Sequence, residues 1–210
     1  MIIIGAKGFA KEVLEILHQN GETENLCFYD DVNAETPDLL YERYPVLKNM
    51  QQVQQHFSEV SNRFSIGIGN PALRFKLFEK FSEMGGEFSS TISCHCEIGS
   101  FGVTIENGCN ILGGVKISND VEIAEGTMVY YNSIITHDVK VGRFAEISPD
   151  VKLLGRCQIG NFVQIGSGSI IFPDVVIGDY AVIAAGSVVR KNVPPKVMVA
   201  GIPAVIKKEL

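Results

Sequence analysis

The chain has 210 residues, 46% of them hydrophobic and 20% charged, with a formal net charge of −6. That is the composition of a soluble globular protein of one large or two small domains, and its acidity speaks against nucleic acid, whose backbone calls for a basic surface. The apolar opening Met1–Ile4 stops at Gly5, too short for a signal sequence or a membrane span, so a cytoplasmic protein with no membrane partner is expected.

In chain order, Ile2–Ile4 reads as a short buried strand and Gly5-Ala6-Lys7-Gly8 as a turn. Residues Phe9 to His18 place Ala10, Val13, Leu14 and Leu17 at helical spacing, and Gly21 follows as a stop. Leu26–Tyr29 is a second strand ending in Asp30-Asp31, and Phe64–Gly69 a third. Asn70 caps a helix running through Phe81, with Pro71 at its first position, and Gly85-Gly86 ends it. Strands alternating with helices predict a small parallel α/β unit of Rossmann-like kind, with the boundary near residues 86–92; we take 1–88 and 89–210 as the two domains. Three of its loops fall at the carboxyl edge of the sheet, where open α/β sheets bind ligands. They are Gly5-Ala6-Lys7-Gly8, Asp30-Asp31 and Gly69-Asn70. Backbone N–H groups at a helix start bind anions, so a nucleotide fits this edge; the first turn lacks the third glycine of the dinucleotide fingerprint, and an ordinary strand-to-helix turn would read the same way.

From Ile105 to Val189, fifteen consecutive sixth residues are aliphatic, among them Ile117, Ile135, Ile147, Leu153, Ile165 and Ile183. No helix or ordinary strand has a period of six; a parallel β-helix, which turns a corner every six residues, does. The residues two places earlier are small or β-branched (Cys109, Thr127, Ser133, Ala145, Cys157, Ser169, Ala181), as the same face of a narrow prism demands. With three faces per coil, the run makes about five coils. Gly160, Gly166 and Gly178 are expected to relieve backbone strain at turns, and Asp120, Asn132, Asp150, Asp174 and Asn192 to tolerate left-handed conformations there.

Against this regular background few residues can carry chemistry. The five cysteines, Cys27, Cys94, Cys96, Cys109 and Cys157, are odd in number and scattered, so no disulfide framework is expected. Cys94-His95-Cys96 lacks a second cluster to complete four zinc ligands, and no metal is expected. His18 and His56 fall in polar stretches and read as surface residues. His137 is different: it stands outside the inward registers, so the prism does not require it, and Asp138 follows to orient it with one nitrogen left as proton acceptor. Near the C-terminus, Ala184–Val189, Val193-Pro194-Pro195 and Ala200–Ala204 are small and rigid and could line a groove for an extended ligand. Lys191, Lys196, Lys207 and Lys208 would favour a phosphorylated one. The alternative is a solenoid end whose prolines stop strand pairing.

Taken together the chain resembles the sugar acetyltransferases of the left-handed β-helix superfamily, and within them the sialic acid O-acetyltransferase and nucleotide-sugar N-acetyltransferase group. The resemblance spans nearly the whole chain. It is carried by the start Ile2-Ile3-Ile4-Gly5-Ala6-Lys7-Gly8-Phe9-Ala10-Lys11-Glu12-Val13, by Tyr29-Asp30-Asp31, by Ile68-Gly69-Asn70 with Arg74, by the hexads with His137-Asp138, and by Gly201-Ile202-Pro203-Ala204. It implies a homotrimer that transfers acetyl from acetyl-CoA to a nucleotide-linked amino sugar in surface glycan synthesis, with His137 as general base. It further implies nucleotide contacts at Gly5, Ala6, Lys7, Gly8, Asp30, Asp31, Gly69, Asn70 and Arg74, and acetyl-CoA contacts at Gly155, Ala185, Gly186, Gly201 and Pro203. The family often has glycine at position 7, and many members have a second histidine at position 146, which contacts the acetyl group; here these are Lys7 and Glu146. An ionised glutamate cannot donate a hydrogen bond, so a backbone N–H would have to serve on the oxyanion side. A sugar or sialic acid O-acetyltransferase is the alternative acceptor chemistry. A non-catalytic scaffold is the alternative class, and a β-helix carbonic anhydrase fits poorly, since it needs three histidines per zinc.

Overall fold

The computed structural model describes residues 1–210, which fall into two compact units, Met1–Thr91 and Ile92–Leu210. The first holds six strands, β1 (Ile2–Ile4), β2 (Cys27–Tyr29), β3 (Leu39–Leu40), β4 (Tyr44–Leu47), β5 (Arg63–Ile66) and β6 (Glu87–Phe88), in the order β3-β4-β2-β1-β5-β6. Every pairing is parallel except β3 with β4. The central β1 is wholly buried, which is why it reads as three consecutive isoleucines rather than as an alternation. Helix α1 (Gly8–Gln19) turns Ala10, Val13, Leu14, Ile16 and Leu17 into the core. It closes at Gly21, at φ 75, with the Glu22 N–H donating to the Leu17 carbonyl.

Helix α2 (Met50–Glu59) and the β3–β4 hairpin carry no clear sequence signal: α2 buries only Val53, so it lacks an apolar stripe, although Asn49 caps it by accepting from the Gln52 N–H. Helix α3 (Pro71–Glu83) starts as expected, with Asn70 accepting from the Leu73 N–H and Pro71 in the first turn. The strand before it is shorter than expected and ends at Ile66. At Gly67 the chain passes so close to α1 that an added Cβ would stand 2.6 Å from the Cβ of Ala10.

The second unit is a three-faced parallel β-helix. Its first face stacks rungs from Thr91–Ile92 to Val182–Ile183 and continues into an antiparallel hairpin, Val197–Gly201 with Ala204–Glu209. The second face runs from Glu97–Ile98 to Val188–Val189, and the third from Thr104–Ile105 to Val176–Ile177. Successive coils are eighteen residues apart, as in Ile117 pairing with Ile135 and Ile135 with Leu153. The two ends depart: Ile98 pairs with Ile117, nineteen residues on, so one extra residue sits in the first coil, while Ile177 bridges Val193 and Ile183 pairs with Val199, sixteen residues on. From Ile111 to Val189 every inward aliphatic of the hexads is buried, each contributing about 2 kcal/mol of transfer free energy. The small register is equally buried from Cys109 on, and three of its hydroxyls donate to backbone fifteen residues on: Thr127 Oγ1 to the Gly142 carbonyl (2.7 Å), Ser133 Oγ to Ser148 (3.0 Å) and Ser169 Oγ to Ala184 (3.1 Å).

The corners correct one expectation. Gly160, Gly166 and Gly178 are not left-handed; an added Cβ at each would collide with the backbone of the next coil, as at Gly166, where Ala185 N stands 2.5 Å away. Left-handed φ falls later in the corner, at Asp120, Asn132, Asp138, Asp150, Arg156 and Asp174, and also at the aromatic residues Phe144, Phe162 and Tyr180. Asn192 is not left-handed; its side chain accepts from the Val176 N–H instead.

Candidate active site

His137 lies in the corner between the second and third faces, after Ile134–Ile135. At the equivalent place one coil earlier, Asn119 uses its side-chain oxygen to accept from the Phe101 N–H (3.3 Å). An imidazole turned the other way does no such work. His137 Nδ1 meets Asp138 Oδ2 at 2.6 Å, and both side chains are about half exposed, 55% and 52%. An ionised carboxylate only accepts, so Nδ1 carries the hydrogen and the lone pair is left on Nε2. Asp138 stands at left-handed φ 59, like Asp120 and Asp174 in the same column, and its carboxylate meets the preceding ring.

The neighbouring cation does not compete for that carboxylate. Arg156 makes a two-pronged pair with Asp174, Nε to Oδ1 at 2.7 Å and Nη2 to Oδ2 at 2.9 Å. This hydrogen-bonded pairing raises the Arg156 guanidinium and lowers the Asp174 carboxyl.

The remaining prism residues divide into groups. Gly155 lies directly against the His137 ring, 18 positions on in the same corner. Ala185 and Gly186 sit in the corner between the first and second faces, and Gly201 and Pro203 at the tip of the hairpin, across the cis Ile202–Pro203 bond. The Gly201 N–H donates to Ser187 Oγ (3.3 Å), which ties that tip to the Ala185-Gly186 corner. Within one chain, therefore, these four gather at one corner while His137 and Gly155 gather at another. Glu146 belongs to neither: it stands on the first face and accepts from Gln164 Nε2 at 2.9 Å.

In the α/β unit a cavity of about 250 Å³ opens at the carboxyl edge of the sheet. Gly5, Ala6, Lys7, Asp30 and Asp31 line it, with Val32, Ile68, Leu73 and Leu77 giving it an apolar side. Gly5, at φ 101, brings its backbone against Gly67. Lys7 is exposed and paired with Glu35 at 2.8 Å. Asp30 is buried, and its carboxylate is spent inside its own loop, accepting from the N–H groups of Val32 (3.2 Å) and Asn33 (3.0 Å), from Asn33 Nδ2 and from Thr36 Oγ1. Burial alone would raise that carboxyl; the hydrogen bonds from Asn33, Val32 and Thr36 outweigh it and hold the group below its ordinary range. Gly8, Gly69, Asn70 and Arg74 do not line the cavity. Gly8 begins α1, Asn70 caps α3, and the buried Arg74 donates from Nη1 to the Gly69 carbonyl, holding the loop beside the cavity.

One other expectation needs amending. His56 is not a free surface residue: it is half-buried, with Nδ1 3.6 Å from Cys27 Sγ, and burial lowers its pKa while raising the Cys27 thiol to about 11. Cys94-His95-Cys96 forms no cluster with other ligands; Cys96 Sγ donates to the Leu112 carbonyl at 3.1 Å, and no group of three or more His, Cys, Asp or Glu side chains is placed to hold a metal ion. No helix is long and apolar enough to cross a membrane.

Comparison with known proteins gives the same two parts. Residues 1–81 match the family described as the PglD N-terminal domain, and residues 156–191 the bacterial transferase hexapeptide (six repeats). Among solved structures, PerB from Caulobacter crescentus in complex with CoA and GDP-perosamine is 28% identical, with a TM-score of 0.90 over 99% of this chain and 96% of that one. A point variant of perosamine N-acetyltransferase from the same organism, also with CoA and GDP-perosamine, is 27% identical, with a TM-score of 0.91 over 99% and 96%. The acetyltransferase domain of PglB from Neisseria gonorrhoeae, 24% identical with a TM-score of 0.88 over 100% and 98%, shares the fold.

Proposed function

We propose that this chain, a hexapeptide-repeat acetyltransferase of the left-handed β-helix type, moves an acetyl group from acetyl-CoA to the amino group of a nucleotide-linked sugar in glycan biosynthesis. The observation that carries the chemistry is the His137–Asp138 pair, with Nδ1 held at 2.6 Å and Nε2 left as an acceptor on an exposed corner. In the reaction Nε2 takes a proton from the sugar amine as its nitrogen attacks the thioester carbonyl. The C–N bond forms, the C–S bond breaks, and the departing CoA thiolate takes the proton back from Nε2, so that CoA leaves as the thiol. Asp138 fixes the tautomer and stabilises the imidazolium that forms.

The two units divide the work. In this reading the cavity of residues 1–88 takes the nucleotide, with Lys7 and the backbone of Gly5, Ala6 and Gly8 toward the phosphates and Asp31 toward ribose or base. Asp30, Gly69, Asn70 and Arg74 shape the cavity's loops. The prism, 89–210, takes acetyl-CoA, with Ala185, Gly186, Gly201 and Pro203 at the far end of its run and Gly155 at the reacting end. Glu146, on the first face and apart from both groups within one chain, is assigned no step in this transfer. The working form is a homotrimer in the cytoplasm; five free cysteines, three of them buried, suit a reducing compartment.

The test follows release of free CoA with GDP-, UDP- and dTDP-linked amino sugars. His137→Ala should lower kcat by roughly 10²- to 10⁴-fold, the range general-base catalysis supplies, while the fold and oligomer persist. Unchanged turnover in that variant, or CoA release only with hydroxyl acceptors, would overturn the reading.

A further inference from the structure

We infer that Gly155 is a positioning residue for the imidazole of His137, and that its work is to have no side chain. Asn119, His137, Gly155 and Pro173 form one column of the corner between the second and third faces. The Asp138 N–H donates to the Asn119 carbonyl (3.3 Å), Arg156 N–H to His137 (3.1 Å) and Asp174 N–H to Gly155 (3.1 Å). Three of these four positions carry bulk, so the coil itself accepts a side chain there. The backbone of Gly155 does not ask for glycine either, since its φ lies outside the left-handed region. What excludes a side chain is the ring: a Cβ on Gly155 would stand 2.7 Å from His137 Cε1, 2.8 Å from Nε2 and 3.4 Å from Nδ1.

The imidazole is therefore held from two sides. Asp138 takes Nδ1. The bare surface of Gly155 accepts the opposite edge, the one that carries the basic nitrogen. A methyl group at 155 would push that edge outward, pivoting the ring against its hydrogen bond to Asp138. Effective molarity in an oriented proton transfer is lost steeply with small displacements, roughly a hundredfold for about 1 Å.

This inference rests on the proposed role of His137, and the test separates the two. In Gly155→Ala, kcat should fall by roughly a hundredfold while the dissociation constant for free CoA, which lacks the acetyl end that reaches Gly155, stays within about twofold, the split expected when the loss falls on the chemical step. In the double variant His137→Ala with Gly155→Ala, turnover should equal that of His137→Ala alone, because there is no ring left to displace. Full kcat in Gly155→Ala, or a double variant slower than His137→Ala together with weakened binding of free CoA, would overturn the inference and leave the base in place. Full turnover in His137→Ala would instead remove the reading beneath it. Should Gly155→Ala prove too unstable to assay, thermal unfolding decides. Recovery of the melting temperature on adding His137→Ala supports the contact with the ring, and no recovery refutes it.

Discussion

At the scale of single residues, Asp30 shows how a side chain's neighbours can redirect it. An acid at the carboxyl edge of an α/β sheet points toward a ligand, yet here four donors from Val32, Asn33 and Thr36 turn it inward to organise the rim of the cavity. Removing it leaves those donors without their acceptor, so Asp30→Ala should cost about 1–3 kcal/mol. The pH dependence has a definite sign. The folded carboxyl lies below its unfolded value, so its stabilisation is complete above the unfolded pKa of about 3.9 and is lost as pH falls through the folded value. The melting temperatures of the wild type and Asp30→Ala should therefore keep their gap down to about pH 4 and converge below it; a gap that stays constant on further acidification would count against this assignment.

Among elements, the corner between the third and first faces carries an aromatic ladder. Phe144 and Phe162 stack at 5.8 Å and 9°, and Phe162 and Tyr180 at 4.9 Å and 6°. All three sit at left-handed φ, a conformation that costs an L-residue about 1–2 kcal/mol. Stacking offsets that cost, and cations flank the ladder, Arg143 5.7 Å from the Phe144 ring and Lys196 5.9 Å from Tyr180. The column stops at Gly126 because a Cβ there would run into the Phe144 ring. Phe162→Ala removes the middle of the stack while keeping the strained backbone, and should destabilise the prism by about 2–3 kcal/mol. Phe162→Gly removes the same ring but relieves the backbone, and should be the milder change by about 1 kcal/mol in chemical denaturation.

For the molecule as a whole, legibility in the sequence followed the range of the interactions. The hexads were readable because each inward residue is fixed by a local period, whatever the other coils do. Helix α2 was not, since Val53 alone reports its buried side. The recurrence of Asp138 with the left-handed Asp120, Asp150 and Asp174 could be read from spacing. That the same residue holds Nδ1 of His137 was an expectation that only side-chain geometry could turn into a distance. The seating of that ring on Gly155 was invisible, because it depends on a rotamer and on two residues brought together by a full circuit of the chain. Asp30 carries a local signal of its inward role: Asn33 and Thr36 follow it at the spacing of a side-chain-closed turn.

Between its irregular ends the prism keeps an eighteen-residue circuit made of three hexads, and so it counts in two units at once. Folding counts in sixes: any whole hexad can be removed and both inward registers still mesh. Catalysis counts in eighteens, because only a full circuit returns a residue to the same edge. Excising residues 166–171 should thus leave a cooperatively melting solenoid, yet carry Ala185-Gly186 and the hairpin around to the edge now held by Asp179-Tyr180. Circular dichroism of that variant should look native while calorimetry finds no acetyl-CoA binding; retained binding would mean the tail acts without regard to azimuth. A lineage built on such a chain can lengthen or shorten by six and keep its fold, but each such step rotates the tail away from the base, so only every third length preserves the alignment on which transfer depends.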